Sequence, residues 1–212
     1  MQFSVKNKRN RLKNTAIPPR NLVENRSLLN IFSLKNVGYI QKISESIDIN
    51  TLNAVIKKIV NCENRFVVGF RSSRAPASWL TFSLNIVIGN THLYRGDTDD
   101  SIHIISQISE RSLVIAFSFP RYAQETVTFV QAAKKRGASV IVITDDELSP
   151  AGIHANYLLK VDTPSPSALK GMPVIFSLLN VLVNGVAVNG WEKENVQKRL
   201  VEYENISQDF FL

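Results

Sequence analysis

The sequence predicts an α/β fold in which helices cover both faces of a parallel sheet. Short apolar segments alternate with helical segments from residue 65 onward, the order typical of repeated strand–helix units. Two of these segments, 113–117 and 139–144, are continuously apolar, as expected of strands covered on both faces. Loops rich in serine and arginine follow the strands, at the edge where such sheets bind ligands.

Two helices are predicted ahead of the sheet. Residues 22–47 carry an uneven apolar stripe, and Asp48 or Asn50 is placed to cap a second helix. In that second helix apolar residues recur at i, i+3, i+4, i+7 and i+8: Leu52, Val55, Ile56, Ile59 and Val60. We interpret residues 22–63 as linker helices that pack on a domain formed by residues 64–212.

The first part of that domain alternates between short strands and helices. Residues 66–69 and 92–94 are predicted strands, with a helix from Pro76 to Ile88 between them. Pro76 suits the first turn of this helix, where the missing N–H costs nothing. Asp99 or Ser101 is expected to start the next helix, and residues 113–117 form the following strand.

The alternation continues with a helix from Ala123 to Arg136, which Gly137 closes in the usual position just past a helix end. The β-branched run 139–144 is a buried strand, and residues 157–161 form the last one. This order completes a parallel sheet whose ligand crevice lies at the carboxyl ends of its strands.

The C-terminal third contains an uncharged stretch of 21 residues, 171–191. Its length would allow a membrane span, but Ser177, Asn180 and Asn184 form a polar line and Gly185 interrupts the stretch, which is unfavourable in a bilayer. We interpret it as a buried helix at the core or at a dimer seam, with the membrane span as the alternative. Residues 192–207 are predicted to form a charged amphipathic helix.

Composition restricts the class of protein. Hydrophobic residues make up 44% of the 212 residues, enough for a proper core. The single cysteine, Cys62, excludes a disulfide scaffold. Residues 1–21 contain six of the 25 basic residues and no acid, so the remaining chain is close to neutral. We interpret these residues as a flexible basic leader, with non-specific contact to nucleic-acid phosphates as the alternative. The leader has no secretory signal pattern, and we expect a cytoplasmic, non-membrane protein.

Three loops at strand ends carry the residues with chemical potential: GFRSSRAPA at 69–77, SFPRYAQET at 118–126 and TDDELSP at 144–150. Each loop leads toward a helix N-terminus, where unpaired N–H groups and the helix dipole favour anions. Serine hydroxyls add donors, and an arginine adds a bidentate fork. The pattern predicts an anion site, although Ser72 and Ser73 also suit the simpler role of helix caps.

The chain resembles a sugar isomerase (SIS) domain, a flavodoxin-like three-layer module that binds phosphosugars, over residues 64–162. Residues 22–212 as a whole resemble the effector-binding half of RpiR-type bacterial transcriptional regulators. Three features carry the resemblance. The first is the frame Gly69, Ser73 and Ala77, and the second is Ser118 with Glu125 seven residues on, followed by AAKKRGASVIVITD. The third is Leu148-Ser149-Pro150 followed by His154-Ala155-Asn156.

The second loop departs from the family pattern Ser-x-Ser-Gly-x-Thr-x-Glu. Pro120, Arg121 and Ala123 stand at the second serine, the glycine and the threonine, and Arg71 replaces a glycine of the first loop. Glycine allows a backbone to approach a phosphate closely, and proline removes a donor. We therefore expect a weakened backbone cradle that carries two added cations.

The resemblance implies an effector-binding and dimerising domain that senses a phosphosugar or a related anionic carbohydrate derivative. It implies a homo-oligomer, either a dimer or a tetramer, and no catalytic residue. DNA contact would require a helix-turn-helix domain, for which residues 1–21 are too short, so we expect a fragment or a headless form. The ligand residues it implies are Arg71, Ser72, Ser73, Ser118, Arg121, Tyr122 and Glu125.

Two alternatives remain open. The first is a phosphosugar isomerase or lyase, which requires a general base near the sugar. The candidate bases are Glu125, Asp145, Asp146 and His154. The second is a structural dimerisation module with an empty crevice. The sequence predicts no cofactor and no metal, because His92, His103 and His154 lack ligand-like spacing and cysteine partners.

Overall fold

A computed structural model of the chain describes residues 25–97, 100–162, 168–191 and 194–210. Its strands are β1 (Asn64–Val68), β2 (Thr91–Tyr94), β3 (Ser112–Ser118), β4 (Ser139–Thr144) and β5 (Tyr157–Lys160). They form one parallel sheet in the order β2-β1-β3-β4-β5. This arrangement confirms the predicted α/β class with its three-layer, flavodoxin-like architecture.

Helices cover both faces of the sheet. They are α1 (Asn25–Ser46), α2 (Ile49–Asn61), α3 (Arg74–Val87), α4 (Ser101–Ser106), α5 (Gln124–Lys135), α6 (Ala168–Gly190) and α7 (Glu194–Phe210). Helices α2, α3 and α6 share a core with one face of the sheet, and α5 supplies most of the helical part of the core on the other face. The helices at the two ends of the chain, α1 and α7, add to the first of these layers.

The continuous apolar runs of β3 and β4 serve the two cores alternately, because successive strand residues point to opposite faces. Residues 113, 115 and 117 of β3 enter the core with α2, α3 and α6, whereas residues 114 and 116 enter the core with α5. Ile141 and Ile143 of β4 alternate with Val140 and Val142 in the same way. Every residue of β3 is buried, which explains why its sequence has no polar alternation.

Capping aspartates begin two of the helices. As predicted, Asp48 caps α2, since its carboxylate accepts hydrogen bonds from the N–H groups of Asn50 (3.3 Å) and Thr51 (2.8 Å). Bonds from Thr51, of its hydroxyl and its N–H, lower the pKa of the Asp48 carboxyl. Asp100 caps α4, with hydrogen bonds of 3.0 and 3.2 Å to the next two helical N–H groups. The prediction of Asp99 or Ser101 as the start of this helix was therefore wrong by one residue, and Asp99 itself lies outside the described residues.

Helix α6 lies within the fold as a core helix. One side of it is buried against α2 and α3, through Val174, Ile175, Leu178, Leu179, Leu182 and Val186. Gly185 allows α2 to approach closely, because a Cβ there would lie 2.5 Å from Cδ1 of Ile56. Among the described residues, Gly171–Gly190 is the one segment long and apolar enough to cross a membrane, a test that the core helix of a soluble protein also passes.

The predicted polar line on α6 lies partly on its exposed side. Asn180 and Asn184 are exposed, whereas Ser177 is half-buried. The amide of Asn184 donates to the carbonyl of Asn180 at 2.8 Å. The Asn189 amide makes the same contact with the Gly185 carbonyl. The amides of Asn184 and Asn189 are thus hydrogen-bonded within the helix itself.

Arg65 is a buried cation that joins three parts of the fold. It is 2% exposed, and its guanidinium donates to the carbonyls of Ile59 (2.7 Å), Cys62 (2.9 Å) and Gly89 (3.1 Å). Burial lowers the pKa of this guanidinium. The contacts connect the end of α2 and the start of β1 with the turn between α3 and β2.

The proposed basic leader, residues 1–21, lies outside the described residues. The division into linker helices (22–63) and a main domain (64–212) stays a prediction. In the described part of the first segment, α2 buries its full apolar stripe in the main core.

Candidate functional site

A hollow of about 230 Å³ opens at the carboxyl ends of β1 and β3. These neighbouring strands continue in opposite directions, since β1 leads to β2 on one side and β3 leads to β4 on the other. Such a switch point leaves a crevice between two strand-to-helix loops. The hollow is lined by Phe70, Arg71, Ser72, Ser73, Phe117, Ser118, Phe119, Pro120, Arg121 and Ala123.

The first wall follows β1 and depends on Gly69. A Cβ at this position would lie 2.5 Å from the carbonyl oxygen of Ser73 and 3.2 Å from Cβ of Ala77. Glycine therefore lets the 3₁₀ turn Arg71–Ser73 fold tightly onto the strand end and lead into α3. This close approach is the physical reason for the Gly69–Ser73–Ala77 frame.

Ser73 does not act as a side-chain cap. It occupies the N-cap position of α3, but its hydroxyl makes no capping hydrogen bond there. Ser73 is buried at 6% exposure, whereas Ser72 beside it is exposed. Both residues line the hollow. The capping alternative is therefore not supported for Ser73, and its hydroxyl is left for a ligand.

The second wall follows β3 and begins with Ser118. This residue is 2% exposed, and its Oγ is buried without a hydrogen-bond partner among the described residues. An unsatisfied buried hydroxyl is costly and marks a place where a ligand or water completes the structure. Phe119, at 7% exposure, packs into the main core and leaves the hollow open.

Arg71 and Arg121 lie on opposite walls with left-handed backbone conformations. Their φ angles are 55° and 75°, in the region that favours glycine. Both residues are exposed and line the hollow. The loops therefore keep the backbone shape that glycine serves, while each adds a guanidinium at the rim.

Tyr122 and Glu125, predicted as ligand residues, lie outside the lining of the hollow. The Tyr122 hydroxyl donates to Oδ1 of Asp145 at 3.0 Å, which ties the loop after β3 to the loop after β4. Glu125 is exposed in the first turn of α5, where the helix dipole stabilises an acid. The structure shows no ion pair within 4.0 Å between Glu125 and Arg121, the pairing that sequence reasoning favoured.

The third predicted loop, residues 144–150, is held by its own hydrogen bonds and lies outside the hollow. Thr144 Oγ1 lies 2.9 Å from Ser149 Oγ, which also accepts the Gly152 N–H at 3.1 Å. Ser149 is 2% exposed. Its hydroxyl is therefore used to close this turn, and we assign the Ser-Pro pair a structural role.

The candidate bases lie away from the hollow. Asp145 accepts the Tyr122 hydroxyl, and Oδ1 of Asp146 accepts the Leu148 N–H at 3.0 Å. His154 Nε2 lies 3.1 Å from the amide of Gln131 on α5. These residues and Glu125 are missing from the lining. Within the part of the chain that the structure describes, no group of histidine, cysteine and acidic residues is arranged to hold a metal ion.

The electrostatics of the hollow favour an anion. Its lining contains two arginines and no acidic residue. Ala123 in the N-cap position of α5 and Ser73 in that of α3 bring two helix N-termini to the same space, and these ends attract negative charge. Sequence reasoning missed the apolar walls Phe70, Phe117 and Phe119, for which the only signal was their adjacency to the predicted loop residues.

A model of the SIS domain matches residues 58–185 of the chain. A search of curated proteins found no match. Among solved structures, the chain is similar to the sugar isomerase domain of an RpiR transcription factor from Sphaerobacter thermophilus. The TM-score is 0.76 at 21% identity, over 84% of this chain and 98% of that one.

Two further structures are similar and were solved with ligands. The Vibrio vulnificus NanR protein complexed with ManNAc-6P gives a TM-score of 0.76 at 19% identity, over 87% of this chain and 70% of that one. A protein of E. coli CFT073 in complex with arabinose 5-phosphate gives 0.65 at 18% identity, over 86% and 100%. At these identities the likeness concerns the fold.

Proposed function

Since the chain belongs to the SIS domain family, we propose that it is the effector-binding domain of an RpiR-type bacterial regulator that senses a phosphosugar or a related anionic carbohydrate derivative. One observation carries the proposal: the buried, unpartnered hydroxyl of Ser118 lines the same hollow as Arg71 and Arg121. Hydroxyl donors suit the polar groups of a sugar, and guanidinium groups suit its anionic group.

The ligand residues we propose are the five predicted residues that line the hollow: Arg71, Ser72, Ser73, Ser118 and Arg121. Tyr122 takes a positioning role in this proposal, because its bond to Asp145 anchors the loop that carries Arg121. Glu125 favours the start of α5 electrostatically.

A sensor is favoured over an isomerase or lyase by the placement of the acids and histidines. Proton transfer requires a base within hydrogen-bond reach of the bound sugar. The four candidate bases lie outside the hollow, and three of them are held by other side chains or backbone groups. In a sensor, ligand binding instead shifts the populations of two arrangements of an oligomer. We expect a cytoplasmic dimer or tetramer whose DNA contacts are made by a separate helix-turn-helix domain.

A thermal-shift panel tests the proposal. The probes are ManNAc-6P, arabinose 5-phosphate, glucose 6-phosphate and inorganic phosphate, and a ligand at 100 times its Kd stabilises the folded state by about 2.7 kcal/mol. We expect at least one sugar phosphate to raise the melting temperature of the wild-type protein. The shift should be lost in Ser118→Ala and Arg121→Ala.

Arg111→Ala is the matched control. Arg111 is an exposed arginine just ahead of β3, at the opposite end of the sheet, so its removal changes the net charge equally and leaves the hollow intact. An equal loss of the shift in this control would attribute binding to overall charge. The absence of a shift with every probe would favour the structural dimerisation module. Turnover of a sugar phosphate would establish the isomerase alternative.

A further inference from the structure

The first half of α1 lies clear of the body of the protein. Between Asn30 and Gly38, every side chain is exposed except that of Asn36, which is half-buried. We call residues 30–38 the arm. The arm carries four large apolar residues whose exposed fractions range from 41% to 73%: Ile31, Phe32, Leu34 and Val37. A helical segment of this length gains little stability in water without packing.

Helix α1 has apolar residues on two opposite sides. Ile40, Ile43 and Ile47 contact the main core. On the other side, Ile31, Leu34 and Gly38 follow one another at i, i+3 and i+7, the spacing that aligns residues along one helix face. A helix with an apolar inner face and an apolar outer face is suited to packing between two bodies.

Gly38 supports this interpretation of the outer face. A Cβ added at Gly38 would meet nothing within 4 Å, and the residue has no positive φ. Glycine within a helix is unfavourable relative to alanine, and the described chain offers no steric reason for it. The close approach of a second backbone would provide one.

An apolar groove of about 430 Å³ lies beside the arm, where the second half of α1, the start of α2 and the middle of α6 meet. Val37 belongs to both the arm and the lining of the groove. The remaining lining is mostly apolar: Ile40, Gln41, Ile43, Ser44, Ile47, Ile49, Leu52, Ser177, Leu178 and Val181.

We propose that a second copy of this chain fills the groove, with the arm of each copy lying in the groove of the other about a two-fold axis. The arm and the groove wall belong to one continuous helix, so the arm does not reach the groove of its own chain. A two-fold axis makes the contact twice with the same residues. This interface rests on the self-association that is part of the proposed function, and it specifies the surface that performs it.

The charges favour a second copy over a lipid surface as the occupant. Residues 27–41 contain a single charged residue, Lys35, and the α6 segment 171–190 contains none. Interface centres are depleted of charge, whereas helices that lie on membranes carry a polar face rich in lysine and arginine.

Sedimentation velocity of the wild-type protein and two variants tests the interface. We expect the wild type to form a dimer. Leu34→Glu should weaken it at least about 30-fold, the effect of losing a central apolar contact. Leu148→Glu is the control, because Leu148 is 82% exposed in the turn after β4 and should leave the dimer unchanged. An unchanged dimer in Leu34→Glu, or equal effects of both variants, would overturn the proposal.

Gly38→Ala provides a test that does not depend on introducing a charge. If Gly38 faced solvent, alanine would raise the melting temperature and leave association unchanged. At a close interface, we expect alanine to weaken the dimer. Circular dichroism of each variant checks that it is folded, and co-sedimentation of the wild type with anionic lipid vesicles through the arm would overturn the choice of occupant.

The same samples separate this inference from the proposed function. A thermal shift by ManNAc-6P or arabinose 5-phosphate in a wild type that stays monomeric at every accessible concentration would retain the ligand sensor and overturn the interface. A dimer sensitive to Leu34→Glu that binds none of the probes would support the interface and overturn the sensor.

Discussion

Arg71 and Arg121 combine two properties that rarely occur together in one residue. Each has the left-handed backbone that costs an L-residue about 1–2 kcal/mol, and each places a guanidinium at the rim of the hollow. Strained residues of this kind persist where the surrounding structure fixes them, often at binding sites. Here Gly69 and the buried Phe119 fix the two loops from below.

Arg121→Gly is expected to raise the free energy of unfolding by about 0.5–1 kcal/mol, the relieved strain less the added chain entropy of glycine. Arg121→Ala keeps the Cβ and the strain, so its stability should stay near that of the wild type. Urea unfolding measures both, and equal stabilities of the two variants would show that the backbone strain is absent.

Sequence reasoning identified five lining residues because strand ends and loop positions follow from the alternation of elements. It placed Tyr122 and Glu125 with them because they are adjacent in the chain. Adjacency does not determine where a side chain points once Pro120 and Arg121 have turned the loop. Tyr122 reaches the loop after β4, a contact that depends on the distance between two strands.

At the scale of elements, Arg65 acts as a shared terminus for structures that are distant in sequence. Carbonyl groups at a helix end lack partners within the helix, and the Arg65 guanidinium supplies donors to two of them and to the turn before β2. No apolar periodicity or capping pattern predicts such a contact, because it depends on a basic side chain turned inward from the start of a strand.

Arg65→Met is expected to lower the free energy of unfolding by about 3 kcal/mol or more, since three buried carbonyls lose charge-assisted donors. Arg65→Lys should lose less, because it keeps a cation with fewer directed donors. Equilibrium unfolding in urea compares the three proteins, and a Met variant as stable as the wild type would contradict this role.

The elements themselves were predicted well from periodicity, and their ends less well. The apolar stripe of α2 and the run of β4 agree with the structure. The start of α4 was misplaced, because Asp99, Asp100 and Ser101 are all good capping residues. Only the path of the chain out of β2 selects Asp100.

At the scale of the whole molecule, α6 completes one of the three layers. Its apolar composition alone fits both a core helix and a membrane span. The distinction depends on partners, since α2 and α3 bury one of its sides. Composition cannot supply that information, because it lies in the packing of helices that are more than 80 residues apart in the chain.

Leu179→Ala should therefore lower the free energy of unfolding by about 2–5 kcal/mol, as for a fully buried leucine. Val188→Ala is the matched exposed control on the same helix, at 74% exposure, and should change it by no more than about 0.5 kcal/mol. Denaturant titration in the absence of detergent measures both. Similar small effects at the two positions would argue against the core placement of α6.

The left-handed positions of the two site loops have an evolutionary consequence. A single base change converts a glycine codon into an arginine codon. Because these loops keep the backbone of glycine with arginine in its place, one mutational step at each position exchanges recognition by main-chain amides for recognition by guanidinium groups. Such a lineage acquires a new ligand preference while the sheet beneath it remains untouched.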